Sequence, residues 1–379
     1  MRNPPLSLYI HIPWCVQKCP YCDFNSHAQK GVIPEKEYVA HLLDDLVTDA
    51  KSIGNREVTT IFIGGGTPSL FEPDSIAHLL NGVAERVALA DDAEITMEAN
   101  PGTIEAARFD GFVQAGVNRF SVGVQSFQPA HLKVLGRIHD DKQARFALGQ
   151  AKHSGARSMN IDLMHGLPEQ SLDNALQDLN DAIDQQPEHL SWYQLTIEPN
   201  TPFYSRPPEL PNDDILWDIQ NAGHARLQAA GYEQYEISGY SKPGYQCRHN
   251  LNYWRFGDYL GIGCGAHGKI TDAASGTITR TVKVKHPRGY MTLGREYLDS
   301  AQLVESDDVA FEFYMNRFRL VEPCPKADFE AFTGTTLTIA QQMELNKAVE
   351  QGLLLESERH WQVTAQGRRY LNSLLSAFV

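Results

Sequence analysis

Three of the six cysteines of this 379-residue chain fall in one short run, Cys15-Val-Gln-Lys-Cys19-Pro-Tyr-Cys22. Thiolates bind iron–sulfur clusters and zinc because sulfur is soft and the metal deprotonates it. Structural zinc wants four ligands. Here the position two after Cys22 is Phe24, so a fourth ligand would have to be His11 or His27. Three thiolates instead suit a cubane [4Fe-4S] cluster whose remaining iron stays open to an exogenous ligand. The ligand count favours the cluster, with zinc as the competing reading. Cys247, Cys264 and Cys324 are scattered, and the last two read as small buried hydrophobes.

Further polar residues recur at regular places downstream. Gly64-Gly65-Gly66-Thr67-Pro68 lacks the Lys-Ser/Thr of a nucleotide P-loop, but its glycines let backbone groups approach a ligand closely. Glu98-Ala-Asn100-Pro101, Gln125-Ser126-Phe127, Asp162 and His165-Gly-Leu-Pro168 each follow or end an apolar run. A single polar residue in such a place is often only a satisfied loop. Together they form a constellation at the carboxyl ends of strands, where barrel active sites lie.

The elements that must position these groups are visible as apolar runs. Strands are predicted over Leu6–Ile12, Val58–Ile63, Glu94–Met97, Arg119–Val124, Met159–Met164 and Leu190–Thr196. Between them, apolar residues at three- and four-residue spacing predict helices, as in Tyr38-Leu42-Leu43-Leu46 and Leu172-Leu176-Leu179-Ile183. Pro73-Asp74 and Ser171 are start signals for two of them. Strands alternating with helices mean βαβ units and a parallel sheet. Six units are too few for a full barrel and suit an open one, with a doubly wound sheet as the alternative. Prolines crowd residues 199–211, and an aromatic, Gly-punctuated region runs from Tyr232 to Gly268. Helical patterns over 310–319, 326–333 and 340–351, a short hairpin and a last helix then resemble a winged helix.

The Cys15-x3-Cys19-x2-Cys22 run, with Tyr21 inside it and after the first strand, resembles the signature of the radical S-adenosylmethionine (SAM) superfamily. The expected fold is therefore α/β, a partial (β/α)6 TIM-like barrel with a small, mostly helical C-terminal domain. The expected division is a core over 1–235, a connecting region over 236–305 and the small domain over 306–379. The glycine run, Glu98, Gly123-Val-Gln125-Ser-Phe, Gly136-Arg137-Ile-His, Asp162 and Gly166-Leu-Pro168 are similar to the oxygen-independent coproporphyrinogen III oxidase branch of that superfamily. That resemblance implies that Cys15, Cys19 and Cys22 hold a [4Fe-4S] cluster. It also implies that Tyr9, Tyr21, Gly65, Gly66, Thr67, Glu98, Gln125, Arg137 and Asp162 bind SAM. The residue types fit this role, since carboxylates accept from ribose hydroxyls or an amino group and a guanidinium meets a carboxylate.

Two features depart from the oxidase pattern, whose motif continues to a fourth cysteine after a longer N-terminal extension. Here Phe24 takes the cysteine's place and the motif begins almost at once. Both features resemble the heme-chaperone family of the branch, as does His249-Asn250-Leu-Asn-Tyr253-Trp254. The resemblance implies a carrier that binds heme near His249 and hands it to acceptor hemoproteins. Cys247 is a second candidate ligand; His267 is a third but reads rather as a structural residue. The alternative is a radical SAM enzyme that decarboxylates porphyrinogen propionates, so enzyme activity is left open. A cytosolic zinc-binding interaction protein is a third class.

Composition bounds the partners. The chain carries 33 Lys and Arg against 47 Asp and Glu, a net charge of −14, which disfavours wholesale nucleic-acid binding. Hydrophobic residues make up 42%, too many for a disordered chain. No apolar run approaches a membrane span and no secretory signal is visible, so the expected compartment is the reducing cytosol. Peripheral contact with membranes holding respiratory acceptors, and a homodimer, are compatible with this reading.

Overall fold

The computed structural model describes residues 1–292 and 294–378. Twelve strands make one sheet: β1 (Leu6–Ile12), β2 (Val58–Gly65), β3 (Leu89–Ala99), β4 (Arg119–Gln125), β5 (Ser158–His165), β6 (His189–Gln194), β7 (Glu233–Gln234), β8 (Gly239–Ser241), β9 (Asp258–Ile262), β10 (His267–Asp272), β11 (Thr277–Lys283) and β12 (Leu298–Leu303). Their order is β12-β11-β10-β9-β1-β2-β3-β4-β5-β6-β8-β7. The first six strands are parallel neighbours in chain order, as the βα alternation predicts. β1 and β2 are buried almost throughout, which is why they read as near-continuous apolar runs. Among the described residues the sheet does not close on itself, so the barrel is open.

Helices α1 (Glu35–Asp49), α2 (Pro73–Ala84), α3 (Phe109–Gln114), α4 (Asp141–His153), α5 (Leu172–Asp184) and α6 (Asp213–Ala229) add their apolar stripes to the same core. Pro73 is the first residue of α2, where its missing N–H costs nothing. Ser171 opens α5 through a capping box with Asn174, and Asp140 opens α4 through one with Gln143. Each cap contributes about 1 kcal/mol.

The sheet extends beyond the expected strands in two places. β3 starts at Leu89 because its amino half pairs with Val58 across a register shift; exposed Asp91 and Asp92 disguise it as a loop. The segment 236–305 supplies β8–β12 and the helix α7 (Arg248–Trp254). Within it β9 runs parallel to β1 from Leu6↔Asp258 to Ile10↔Ile262. Its core residues Leu260, Ile262, Cys264 and Tyr290 belong to the barrel core.

A second core gathers Phe313, Tyr314, Phe329, Trp361 and Leu374 from α8 (Ser306–Arg317), α9 (Lys326–Thr333), α10 (Ile339–Glu350), α11 (Leu371–Ser376) and a small sheet. That sheet is β13 (Cys324–Pro325), β14 (Leu354–Glu356) and β15 (His360–Val363), in the order β13-β15-β14. Phe256, just past α7, belongs to this second core and packs edge-on against Phe313, and Arg255 pairs with Glu322, so the segment 236–305 contributes to both cores. Among the described residues no helix is long and apolar enough to cross a membrane.

The loop leaving β4 is anchored by a buried carboxylate. Asp178 on α5 accepts from the Ser126 hydroxyl at 2.7 Å and from the Phe127 N–H at 2.8 Å. Burial, partly offset by these hydrogen bonds, pushes its pKa up from 3.8 to about 6. Between those two values the folded chain binds more protons than the unfolded one. This contribution therefore weakens as pH rises from about 4 to about 6, by at most about 3 kcal/mol. Urea midpoints measured across that window should show a shallower fall for Asp178→Asn than for the unaltered chain. Parallel curves would show that Asp178 does not titrate there.

Candidate functional site

The cysteine loop leaves β1 and is held against the end of β2 by backbone alone. Gly66 N–H donates to the Ile12 carbonyl and Thr67 N–H to the Trp14 carbonyl, both at 2.7 Å. A Cβ on Gly66 would stand 2.4 Å from the Trp14 oxygen, and one on Gly65, at φ +116°, would stand 2.4 Å from the His11 ring. These two glycines are required by close approach of the protein to itself, a different reason from ligand access. The Gly65 N–H donates to Glu98 Oε2 at 2.9 Å, which fixes that carboxylate.

Arg137 ties the loop to the next strands. Its Nη2 donates to Asn100 Oδ1 at 2.7 Å and to the Gly123 carbonyl at 2.6 Å, while Nη1 lies 3.6 Å from Cys19 Sγ. Its Nε is buried without a partner. Gln125 adopts φ +69°, a conformation that costs a non-glycine residue about 1–3 kcal/mol. It follows the irregularity at Gly123 in the pairing of β4 with β5.

The strand ends converge on one cavity of about 440 Å³. Cys15, Cys19, Tyr21 and Cys22 line it. So do Gly65, Gly66, Thr67 and Glu98, and Gln125, Arg137 and Asp162 complete the set. Among the described residues no three metal-binding side chains are already drawn together around a point. The three thiols nonetheless all line this cavity, which suits a bulky cluster rather than a single metal ion. Burial raises the pKa of Cys15 and of Cys22, so ligation must release their protons.

Two carboxylates, Glu98 and Asp162, face this cavity. Burial pushes Glu98 up to about 7, against the Gly65 N–H bond that lowers it, and nearby Asp162 adds to the rise. Asp162 is raised by burial too, although it accepts from Ser121 Oγ at 2.9 Å and Asn160 Nδ2 at 2.8 Å. Arg119 lies near enough to lower the Asp162 pKa, but among the described residues neither carboxylate forms an ion pair, which suits a ligand carrying positive charge or several hydroxyls. The sequence singles out no role for Arg119, Ser121, Asn160, Ser191 or Tyr193, which also line the cavity. Arg119 is 3% exposed with its Nε unpartnered. A charged first residue of a strand reads as a solvated end, which hides it from pattern alone.

Two expected residues lie elsewhere. Tyr9 faces an adjoining cavity of about 830 Å³, and its hydroxyl is 2.9 Å from His11 Nδ1. His249 lines neither cavity. It is 1% exposed, with Nδ1 2.8 Å from Thr60 Oγ1 and Nε2 2.9 Å from the Tyr253 hydroxyl. Burial holds its pKa down to about 3, so the ring is neutral, but both nitrogens are already engaged. In this arrangement the side chain fastens α7 to β2. Cys247 is no better placed, being fully buried beside Glu94. Within the same element Asn250 reaches the smaller cavity, while Tyr253 and Trp254 reach the larger one.

Residues 9–179 match the model of the Radical SAM superfamily, and residues 304–370 match that of the HemN C-terminal domain. The chain is 61% identical, over its full length and 99% of the relative, to the heme chaperone HemW of Escherichia coli. It is 57% identical to the protein of the same name from Haemophilus influenzae, over all of this chain and 99% of that one. Among solved structures, coproporphyrinogen III oxidase (HemN) from Escherichia coli superposes with a TM-score of 0.84 at 24% identity, covering 99% of this chain and 90% of the other. That likeness shows the fold. With two relatives matched end to end at well over half their residues, the chain belongs to the HemW family within the radical SAM superfamily.

Proposed function

We propose that this chain is a heme carrier that binds heme and passes it to heme-free acceptor hemoproteins, membrane-bound respiratory ones included, on a scaffold holding a [4Fe-4S] cluster and SAM. The observation that carries this reading is the 61% identity across the entire chain to a protein named a heme chaperone. Phe24 supports it, standing 60% exposed where the oxidase pattern has a fourth cysteine.

Cys15, Cys19 and Cys22 would hold three irons of the cluster. The unpartnered Nε of Arg137 and the shared cavity fit such a group. Bound there, the cluster would supply an open iron for the amino and carboxylate groups of SAM and a source of one electron. The chain's own residues orient that ligand. Glu98 and Asp162 would accept from its hydroxyls or amino group, and Arg137 would face its carboxylate. Gly65, Gly66, Thr67, Gln125 and Tyr21 shape the walls, while Tyr9 borders the site from the adjoining cavity.

The test uses purified, anaerobically reconstituted protein. Hemin should produce a Soret band that moves to a heme-free acceptor on mixing. Incubation with SAM, reductant and coproporphyrinogen should yield no vinyl product. Turnover to that product with stoichiometric 5′-deoxyadenosine would overturn the carrier reading.

A further inference from the structure

The cavity of about 830 Å³ lies in the upper part of the size range of ligand sites and shares a wall with the smaller one. Phe24, Gly65 and Glu98 face both. Tyr253 and Trp254 of α7 line it together with Phe24. Three imidazoles border the space. His11 is 4% exposed and spends both nitrogens on the Tyr9 hydroxyl and the Asn25 carbonyl. His27 places Nε2 3.3 Å from Asn25 Oδ1, and its ring meets His286 edge-on. His267, the first residue of β10, is exposed at the cavity rim, and among the described residues its ring makes no hydrogen bond.

The cations here differ in the same way. Arg280 is bound to the Tyr259 hydroxyl and to Glu312. Lys18 donates to the Phe24 and Ser26 carbonyls. Lys285 is exposed, and among the described residues it enters no ion pair. An open imidazole, an uncommitted ammonium and aromatic side chains in one cavity are what an iron porphyrin with propionate groups requires.

We propose that this cavity is the heme site, with His267 as the axial ligand of the iron, Phe24, Tyr253 and Trp254 against the macrocycle, and Lys285 on a propionate. The inference rests on the carrier reading and gives it a place distinct from His249. Burial, Lys285 and Arg280 all lower the pKa of His267, in that order, which keeps the ring neutral and able to ligate. Phe24 then has a use for its exposed ring, on the wall between heme and the cysteine loop.

The test is a hemin titration of the reconstituted full chain, followed by the Soret band. His267→Ala should weaken binding about tenfold or more and shift the band, whereas His27→Ala should leave the band in place. Lys285→Glu should weaken hemin binding but leave the affinity for hemin dimethyl ester, which lacks the carboxylates, unchanged. Both His267 and Lys285 are exposed, so iron and sulfide content should stay at the level of the unaltered chain in each variant. Unaltered affinity and band position in His267→Ala, or loss of the band in His27→Ala, would overturn this placement alone. A wild-type chain that binds no hemin would overturn the carrier reading together with it.

Discussion

Replacing Asp258 by Ala is expected to cost the folded chain about 3–5 kcal/mol, because it strands a buried cation. Asp258 is fully buried and pairs with Arg56 at 2.8 Å and Lys269 at 3.1 Å. It also accepts from the Thr271 N–H and hydroxyl at 2.9 and 2.8 Å. These bonds join β9 and β10 to the segment between α1 and β2, and so hold the sheet extension to the barrel. Lys269 is 2% exposed and already has its pKa lowered to about 8 by burial, in spite of Asp258. Without the carboxylate it falls further below its unfolded value of about 10.4. A cation with a depressed folded pKa binds fewer protons folded than unfolded, so the variant gains stability as pH rises through that window. Urea unfolding should show the deficit at pH 7 and a smaller one at pH 9. A deficit below about 1 kcal/mol at both would show that the network is dispensable.

Glu98→Gln is expected to lower SAM affinity about 10- to 150-fold, the worth of about 1.5–3 kcal/mol for a hydrogen bond to a charged group. The amide oxygen can still accept the Gly65 N–H bond, so the loop should hold and iron loading should be unaffected. With its pKa near 7, Glu98 ionises as pH rises through neutrality, and the ionised form attracts a sulfonium ligand. Affinity in the unaltered chain should therefore climb from pH 6 to pH 8, and more steeply than in the variant. Equilibrium dialysis with labelled SAM measures both. Equal affinities with matching pH profiles would remove Glu98 from the binding set.

The barrel is legible in residue types because buried parallel strands leave apolar runs that amphipathic helices punctuate. Leu6–Ile12 and Val58–Gly65 are such runs, and Ser171 and Pro73 mark helix starts by local chemistry. β9 is not legible as a barrel strand, since its partner is β1 some 250 residues earlier and no local pattern encodes that pairing. The glycines after β2 suggest a ligand cradle, whereas Gly66 makes room for the Trp14 carbonyl. Arg119 and Asn160 escape a sequence reading because their place in the site depends on facing into the barrel, which periodicity does not report. His249 is a different case. A histidine beside aromatics suggests a ligand, but only the fold reveals that Thr60 and Tyr253 occupy both nitrogens.

The function proposed for this chain depends first on the three thiols at the cavity wall. Anaerobic reconstitution of the full chain, followed by iron, acid-labile sulfide and zinc quantification on one sample, tests it most directly. The expected result is about four irons and four sulfides per chain, lost when Cys15, Cys19 and Cys22 are all replaced by Ser. One zinc with neither iron nor sulfide, or iron and sulfide undiminished in the triple variant, would contradict it.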